Sequence, residues 1–225
     1  MGGPSIAGHA SQGDFDRVVV VDFGAQYAQL IARRVREARV FSEIVPREIT
    51  AAQIRAREPV GIILSGGPSS VYAQDAYALD PEIFDLGIPM LGICYGHQVM
   101  AQALGGTVVA TGTSEFGPAS LTVIGDSLLL SGHPEGCTVW MSHNDAVSDA
   151  PAGFTVTAST PEATVAAMED EERRFYGVQF HPEVHHTEHG QRMLERFLWD
   201  ACGARPTWTR SGIIEQSVDA IKEAV

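Results

Sequence analysis

The chain has 225 residues, of which 44% are hydrophobic and 19% are charged, and its formal net charge is −13 at pH 7. This composition is typical of a globular protein that buries a sizeable core. The negative charge argues against binding to nucleic acid or to an anionic membrane surface, because both require clustered lysine and arginine. We therefore expect a small-molecule ligand or a protein partner.

The three cysteines do not form the framework of a secreted disulfide protein, and no apolar run is long enough to span a bilayer. These features predict a protein of the reducing cytoplasm. Residues 1–16 are rich in glycine, serine and alanine and carry no signal-peptide pattern. We interpret them as a disordered leader or a remnant of expression.

The first ordered element is predicted at residues 17–22, where four valines indicate a strand buried on both faces. An amphipathic helix is predicted at residues 25–38. The alternation continues with a strand near 40–45, a helix near 50–57, a strand at 60–64 and a further unit around Ile88. Such alternation predicts βαβ units, with ligand chemistry at the carboxyl ends of parallel strands.

Beyond Gly106 the sequence changes to short apolar stretches separated by turn residues, which predict antiparallel strands. These stretches are residues 107–110, 119–124, 138–141, 154–158, 163–168 and 175–180. A helix is expected at residues 188–201. The predicted fold is α/β, with an open, mostly parallel mixed sheet flanked by helices and a smaller antiparallel strand set in the second half.

The domain is predicted to cover residues 17–203. Residues 204–225 have the character of a linker followed by an amphipathic helix that begins near Ser211. The apolar face of that helix has no evident cover in this chain. We therefore expect it to open a further domain.

The strongest catalytic signal is Cys94, which lies between Gly92 and Gly96 where an apolar strand gives way to a helical pattern. This is the pattern of a nucleophile elbow, with cysteine in place of serine. The strained turn needs small neighbours, and the amino end of the helix favours a thiolate. Cys137 and Cys202 lack this context and are interpreted as packing residues.

A cysteine nucleophile needs a base, and His181 and Glu183 lie two residues apart at the end of a predicted strand. Glu183 is predicted to orient the imidazole of His181 and to stabilise its cation, although His-x-Glu by itself is also typical of a surface ion pair. The backbone N–H groups of Tyr95 and Gly67 are predicted to form the oxyanion hole. The turn that holds Gly67 has the alternative of a phosphate loop, but the lysine of such a loop is absent.

Four histidines at positions 181, 185, 186 and 189 have a spacing that can bind metal from a helix. Pro182 interrupts the helix that this geometry requires. We therefore predict no metal site.

Three motifs together resemble the class I glutamine amidotransferases: Ser65-Gly66-Gly67-Pro68, Gly92-Ile93-Cys94-Tyr95-Gly96 and Gln179-Phe180-His181-Pro182-Glu183. The resemblance implies that Cys94 attacks the side-chain amide of glutamine and that His181 moves the protons, without a cofactor. It also implies a glutamine pocket lined by Gln98, Ser142, His143 and Asp145, in which Asp145 pairs with the α-ammonium group of the substrate.

Within this family, three stretches resemble the branch whose ammonia converts xanthosine monophosphate (XMP) to GMP: Asp22-Phe23-Gly24-Ala25-Gln26-Tyr27, Ile31-Ala32-Arg33-Arg34-Val35-Arg36-Glu37 and Val139-Trp140-Met141-Ser142-His143-Asn144-Asp145. That resemblance implies a partner synthetase domain that uses ATP and Mg²⁺, and a homodimer formed through a domain outside this chain. The chain contains no Ser-Gly-Gly-x-Asp-Ser pyrophosphate loop. The alternatives are the glutaminase of another synthase, such as anthranilate or carbamoyl-phosphate synthase, a cysteine peptidase, or a regulatory binding module.

Overall fold

The computed structural model of the chain describes residues 15–24, 26–67 and 79–209. Most of the expected leader and the expected helix at residues 211–225 lie outside these ranges. None of the described helices is long and apolar enough to cross a membrane.

The described residues form an eight-stranded sheet in the order β2-β1-β3-β4-β10-β9-β8-β6 and a separate two-stranded ribbon of β5 and β7. The strands are β1 (Arg17–Asp22), β2 (Phe41–Pro46), β3 (Gly61–Leu64), β4 (Met90–Ile93), β5 (Thr107–Ser120), β6 (Thr122–Val123), β7 (Thr138–Asp149), β8 (Thr155–Ser159), β9 (Ala167–Asp170) and β10 (Phe175–Val178). The α-helices are α1 (Tyr27–Glu37), α2 (Ala51–Arg55), α3 (Tyr95–Ala103) and α4 (Gly190–Arg196), with a 3₁₀ segment at Pro81–Asp85 and a π-helical turn at Phe197–Ala201.

The sheet separates two apolar cores, and the valines of β1 contribute to both. Val18 and Val20 pack in one core with residues of α1 and α4. Val19 and Val21 pack in the other core with residues of α2 and α3. All four valines are completely buried, which confirms the prediction of a strand covered on both faces.

The parallel part of the sheet confirms the α/β prediction, because β1 pairs in parallel with β2 and β3, and β4 pairs in parallel with β3 and β10. Residues 175–180 were expected to form an antiparallel strand, which is wrong for one of the two neighbours of β10. β10 is antiparallel to β9 but parallel to β4. The apolar pattern of a buried strand is the same for either direction, so the sequence did not distinguish them.

Two predicted strands were too short. Residues 107–110 and 138–141 are only the first parts of β5 and β7, which extend over 14 and 12 residues. The strand predicted at residues 119–124 is divided between the end of β5 and the two-residue β6. Pro118 and Gly117 mimic a turn in the sequence, yet both lie within β5. The ribbon has only two strands, so each strand has one edge without a partner strand. Proline is tolerated at such an edge because its missing N–H group removes no hydrogen bond between the strands.

The helix predicted at residues 188–201 also differs from its prediction. It begins at Gly190 after His189, whose φ of 58° is left-handed, and ends in the π-helical turn. The prediction of a helix is therefore confirmed over residues 190–201, although its last turn is wider than an α-helix. Leu198 and Phe197 on this turn are completely buried in the core.

His97 is a fully buried histidine of α3 that the sequence analysis did not single out. Its Nε2 donates a hydrogen bond to the carbonyl oxygen of Val165 at 3.2 Å, and its ring packs so closely on Gly177 of β10 that a Cβ atom there would overlap Nδ1. Burial lowers the pKa of His97 to about 4. The folded protein therefore keeps this imidazole neutral.

This pKa predicts a specific loss of stability in acid. The unfolded chain binds a proton on His97 below about pH 6.5, whereas the folded chain does so only near pH 4, so the free energy of unfolding falls as the pH falls through this window. His97 alone should contribute a loss of about 3 kcal/mol. Urea unfolding of the parent and of His97→Gln at pH 7, 5.5 and 4.5 should show a smaller acid loss in the variant. Equal pH slopes would contradict this account, whatever the difference at pH 7.

Candidate active site

Cys94 joins β4 to α3 in a strained elbow. Its backbone has φ 52° and ψ −105°, a region that residues with a side chain rarely adopt. A Cβ atom at Gly92 would lie 2.7 Å from the carbonyl oxygen of Gly96, and a Cβ atom at Gly96 would overlap the backbone of Leu64 in β3. Both glycines are therefore required, because helix and strands meet backbone to backbone at this point.

His181 and Glu183 follow β10, which is the strand next to β4. The two side chains are buried, and Nδ1 of His181 lies 2.8 Å from Oε1 of Glu183. The segment is held in place because the N–H group of His181 donates to the carbonyl oxygen of Trp140 at 3.0 Å and the hydroxyl of Thr187 donates to the carbonyl oxygen of His181 at 2.6 Å. The predicted base and carboxylate are thus brought to the predicted nucleophile.

The electrostatic surroundings favour a protonated His181. Burial by itself lowers the pKa of His181, but the neighbouring Cys94 and Glu183 side chains outweigh burial and raise that pKa well above its ordinary value. A carboxylate accepts hydrogen bonds only, so Nδ1 donates to Glu183 and Nε2 is the ring nitrogen that remains for Cys94. The arrangement suits a cysteine thiolate paired with an imidazolium ion.

The two residues predicted to supply the oxyanion donors are in contact. Gly67 packs against the ring of Tyr95, since a Cβ atom at Gly67 would lie 3.0 Å from that ring, and Gly66 packs equally closely on Cε1 of His181. Ser65 connects this loop to the end of β1, because its hydroxyl accepts a hydrogen bond from the N–H group of Phe23 at 3.1 Å. The structure therefore places this loop beside both the nucleophile elbow and the base.

The four predicted glutamine-binding residues lie around the same elbow. The carbonyl oxygen of Ser142 is 3.6 Å from Sγ of Cys94, and the carbonyl oxygen of Asp145 is 2.6 Å from Nε2 of Gln98. His143 is buried, and its Nε2 lies 3.0 Å from Oε2 of Glu115. Burial lowers the pKa of His143, which the adjacent carboxylate opposes.

The sequence analysis missed three residues that contact the predicted catalytic groups. The ring of Tyr27 stacks on His181 with centroids 4.6 Å apart, Nε of Arg34 donates to the carbonyl oxygen of Glu183 at 2.9 Å, and Nε2 of Gln179 donates to Sγ of Cys94 at 3.8 Å. Gln179 had a signal, because alternation along an extended strand places it on the same side as Gly177, which contacts α3. Tyr27 and Arg34 lie in stretches that resemble the family, but no role was predicted for them because α1 is distant in sequence from Cys94, His181 and Glu183.

The four histidines of the rejected metal cluster do not converge on one point, although the ring centroids of His185 and His186 lie 6.0 Å apart. His181 contacts Glu183, His186 stacks on Trp140 with ring centroids 4.6 Å apart, and His189 contacts His133. Within residues 15–24, 26–67 and 79–209, no three histidine, cysteine, aspartate or glutamate side chains are grouped so that they could hold a metal ion.

Comparison with known proteins agrees with this geometry. A family model described as glutamine amidotransferase class-I matches residues 19–201. The chain belongs to the class I glutamine amidotransferases. A solved structure from Thermoplasma acidophilum, of a protein assigned to GMP synthase as one of its subunits, is 30% identical, with a TM-score of 0.73, and the match covers 84% of this chain and 94% of that one.

The similarity extends to a particular branch of the family. The glutamine-hydrolysing GMP synthase of Thermobifida fusca is 59% identical over 221 residues, which are 98% of this chain and 42% of that protein. The GMP synthase of Mycolicibacterium paratuberculosis is 59% identical over 208 residues, which are 92% of this chain and 39% of that protein. The chain therefore spans about two fifths of the length of these curated relatives.

The geometry of the His181–Glu183 pair predicts that substitutions of the two residues slow glutamine hydrolysis to different extents. His181→Ala removes the proton carrier and should slow glutamine hydrolysis by about a thousandfold. Glu183→Gln keeps the imidazole but loses the charge that stabilises its cation, and should slow hydrolysis by about ten- to a hundredfold and lower the pKa of His181. Glutamate release measures the rates, and NMR titration measures the pKa.

Glu172→Gln is the matched control, because Glu172 is exposed on a turn away from the elbow. It should behave as the parent. Full activity of Glu183→Gln would show that Glu183 has no part in the reaction.

Proposed function

We propose that this domain hydrolyses the side-chain amide of glutamine through a thioester on Cys94 and supplies the released ammonia to a synthetase. The observation that carries the proposal is the alignment of Cys94, His181 and Glu183 at the ends of two adjacent parallel strands. A surface ion pair would not be buried against a strained cysteine, so this alignment supports a catalytic role over the simpler interpretation of His-x-Glu.

In the proposed reaction the thiolate of Cys94 attacks the amide carbon and forms an S–C bond. The negative charge that develops on the amide oxygen is held by the N–H groups of Tyr95 and Gly67. His181 gives its Nε2 proton to the amide nitrogen, the C–N bond breaks, and ammonia leaves. A thioester remains on Cys94.

Water then completes the cycle. His181, now neutral, takes a proton from the water molecule as its oxygen attacks the thioester carbon. The C–S bond breaks, the electron pair returns to sulfur, and glutamate leaves. Glu183 accepts a hydrogen bond from Nδ1 throughout and stabilises the cation whenever it forms.

The walls of the site supply the substrate contacts. In the proposal Asp145 pairs with the α-ammonium group of glutamine, and Gln98, Ser142 and His143 line the same pocket. The contacts of α3 with β7 support this assignment, because Gln98 already bonds the backbone of Asp145 and Cys94 that of Ser142. These steps use no cofactor.

The destination of the ammonia is proposed from the relatives. Both curated relatives are glutamine-hydrolysing GMP synthases, and this chain matches only part of each. We assign the recipient as a synthetase domain that uses ATP and Mg²⁺ to aminate XMP in the cytoplasm, with residues 204–225 as the linker and first helix of that domain. The full-length protein is proposed to be a homodimer through a domain outside this chain.

Removal of the nucleophile tests the chemistry directly. Cys94→Ala should abolish glutamine hydrolysis while leaving the folded structure intact, because it removes the attacking atom and little packing volume. The parent should also incorporate one equivalent of a glutamine-mimicking electrophile at Cys94, identified by mass spectrometry. Cys137→Ala serves as the control, since Cys137 is buried in the core, and it should keep hydrolysis and labelling. Near-normal turnover of Cys94→Ala would disprove the thioester mechanism.

We further propose that the partner synthetase switches the glutaminase on. The last described residues approach α1, where the N–H group of Trp208 donates to the carbonyl oxygen of Arg39 at 2.9 Å. A cavity of about 420 Å³ lies between Trp208 and the outer face of α1. The inner side of the same helix carries Tyr27 and Arg34, which contact His181 and Glu183. A partner that binds this face therefore has a short physical route to the base.

Addition of a separately prepared synthetase fragment, with ATP and XMP, should raise glutamine hydrolysis by at least about tenfold, a coupling of about 1.4 kcal/mol. Ammonia release by the two pieces, alone and mixed, measures this effect. A matched mixture without XMP reports the contribution of docking alone. If a binding assay confirms that the pieces associate and the rate still does not change, the switch does not exist and the domain is active on its own.

A further inference from the structure

Two buried glutamine side chains form a chain of hydrogen bonds that ends on the sulfur of Cys94. Nε2 of Gln98 donates to the carbonyl oxygen of Asp145 at 2.6 Å and to Oε1 of Gln179 at 3.2 Å. Nε2 of Gln179 then donates to Sγ of Cys94 at 3.8 Å, a distance compatible with the large radius of sulfur. The chain connects β7, α3, β10 and the elbow.

The backbone carbonyl of Asp145 fixes the direction of the whole chain. A carbonyl oxygen only accepts hydrogen bonds, so the NH₂ group of Gln98 faces it and not the amide oxygen. The same NH₂ group donates the hydrogen bond to Gln179, so the acceptor Oε1 of Gln179 must face Gln98. The NH₂ group of Gln179 is left directed at the sulfur atom.

The burial of the Gln98 and Gln179 side chains indicates that the amide donor of Gln179 has a function. Gln179 is completely buried and Gln98 is 3% exposed. A buried amide costs free energy unless its groups are hydrogen-bonded, and an apolar side chain of equal size would fill this space at no such cost. The amide nitrogen faces the atom on which negative charge forms, and a hydrogen bond to a charged acceptor is stronger than one to a neutral acceptor.

We propose that Gln179 is a further catalytic residue, whose amide donates a hydrogen bond to the anionic sulfur of Cys94, and that Gln98 is the positioning residue that aims this amide. The inference rests on the proposed glutaminase function and deepens it. The bond acts twice in the cycle. It favours the thiolate before attack, and it stabilises the sulfur again when the C–S bond of the thioester breaks and the electron pair returns to it.

Other charged or titratable groups lie on the elements that meet at the elbow. They are His181 and Glu183 after β10, His143 and Asp145 on β7, Glu115 on β5, Tyr27 on α1 and His97 on α3. A test must therefore change the Gln179 donor alone and compare the result with the parent, in which all of these groups are the same.

The test is the pH dependence of Cys94 alkylation by iodoacetamide, an uncharged reagent that reports the thiolate. Gln179→Met keeps the volume and removes the donor, and it should move the alkylation midpoint upward by about one pH unit, a tenfold loss of thiolate. Gln98→Met should move the midpoint in the same direction by less. For glutamine hydrolysis, Gln179→Met should lower kcat by about tenfold while KM changes by less than about threefold.

Gln102→Met is the matched control, because it makes the same substitution at an exposed position in the last turn of α3. It should leave both the midpoint and kcat unchanged. If Gln179→Met does not fold, Gln179→Leu provides the comparison, because it also removes the amide donor and adds no charge beside the sulfur. Its midpoint should also move upward.

An unchanged midpoint in a folded Gln179 variant overturns the inference, even if the variant is less stable. This result is separable from a failure of the proposed function, since alkylation is measured without glutamine. If the parent releases no ammonia from glutamine, or if Cys94→Ala still does, the proposed function fails whatever the midpoint shows.

Discussion

The parallel pairing of β4 with β10 is the constraint on which the site depends. Gly92 of β4 lies opposite Gly177 of β10, and the N–H group of Cys94 donates to the carbonyl oxygen of Val178 at 2.8 Å. Neighbouring parallel strands end at the same edge of a sheet, so this register brings the residue after β4 beside the segment after β10. A different register would move His181, the proposed base, away from Cys94, the proposed nucleophile, by one residue spacing or more.

The close approach of α3 to these strands follows from the same pair of glycines. Gly92 leaves room for the first turn of the helix, and Gly177 leaves room for the imidazole of His97. The helix can then direct its amino end at Cys94 while Gln98, one turn later, reaches across to β7. One helix therefore contributes to the electrostatics of the sulfur, to the proposed oxyanion hole and to the proposed positioning of the Gln179 amide.

Burial strengthens the electrostatic interactions among the charged groups of the site, but it also carries an unfavourable free energy of desolvation. His181 and Glu183 are withdrawn from solvent, and an isolated charge in that position would be strongly unfavourable. The groups stabilise one another because each has an opposite or hydrogen-bonding neighbour within reach. The backbone strain at Cys94 adds a second cost. Both costs are offset by the large apolar cores on the two faces of the sheet, to which the site is attached.

The sequence by itself determined the elements whose signals are local. The valines of β1, the glycines around Cys94 and the His-x-Glu pair each lie within a few residues of one another, so periodicity and turn chemistry reveal them. Only the tertiary structure decided which of these elements are neighbours. Gln179 and Cys94 are separated by 85 residues, and Arg34 and Glu183 by 149. Their contacts depend on the strand order and on the direction of β10. The periodicity of the side chains does not determine either one, because it records only which face of an element is buried.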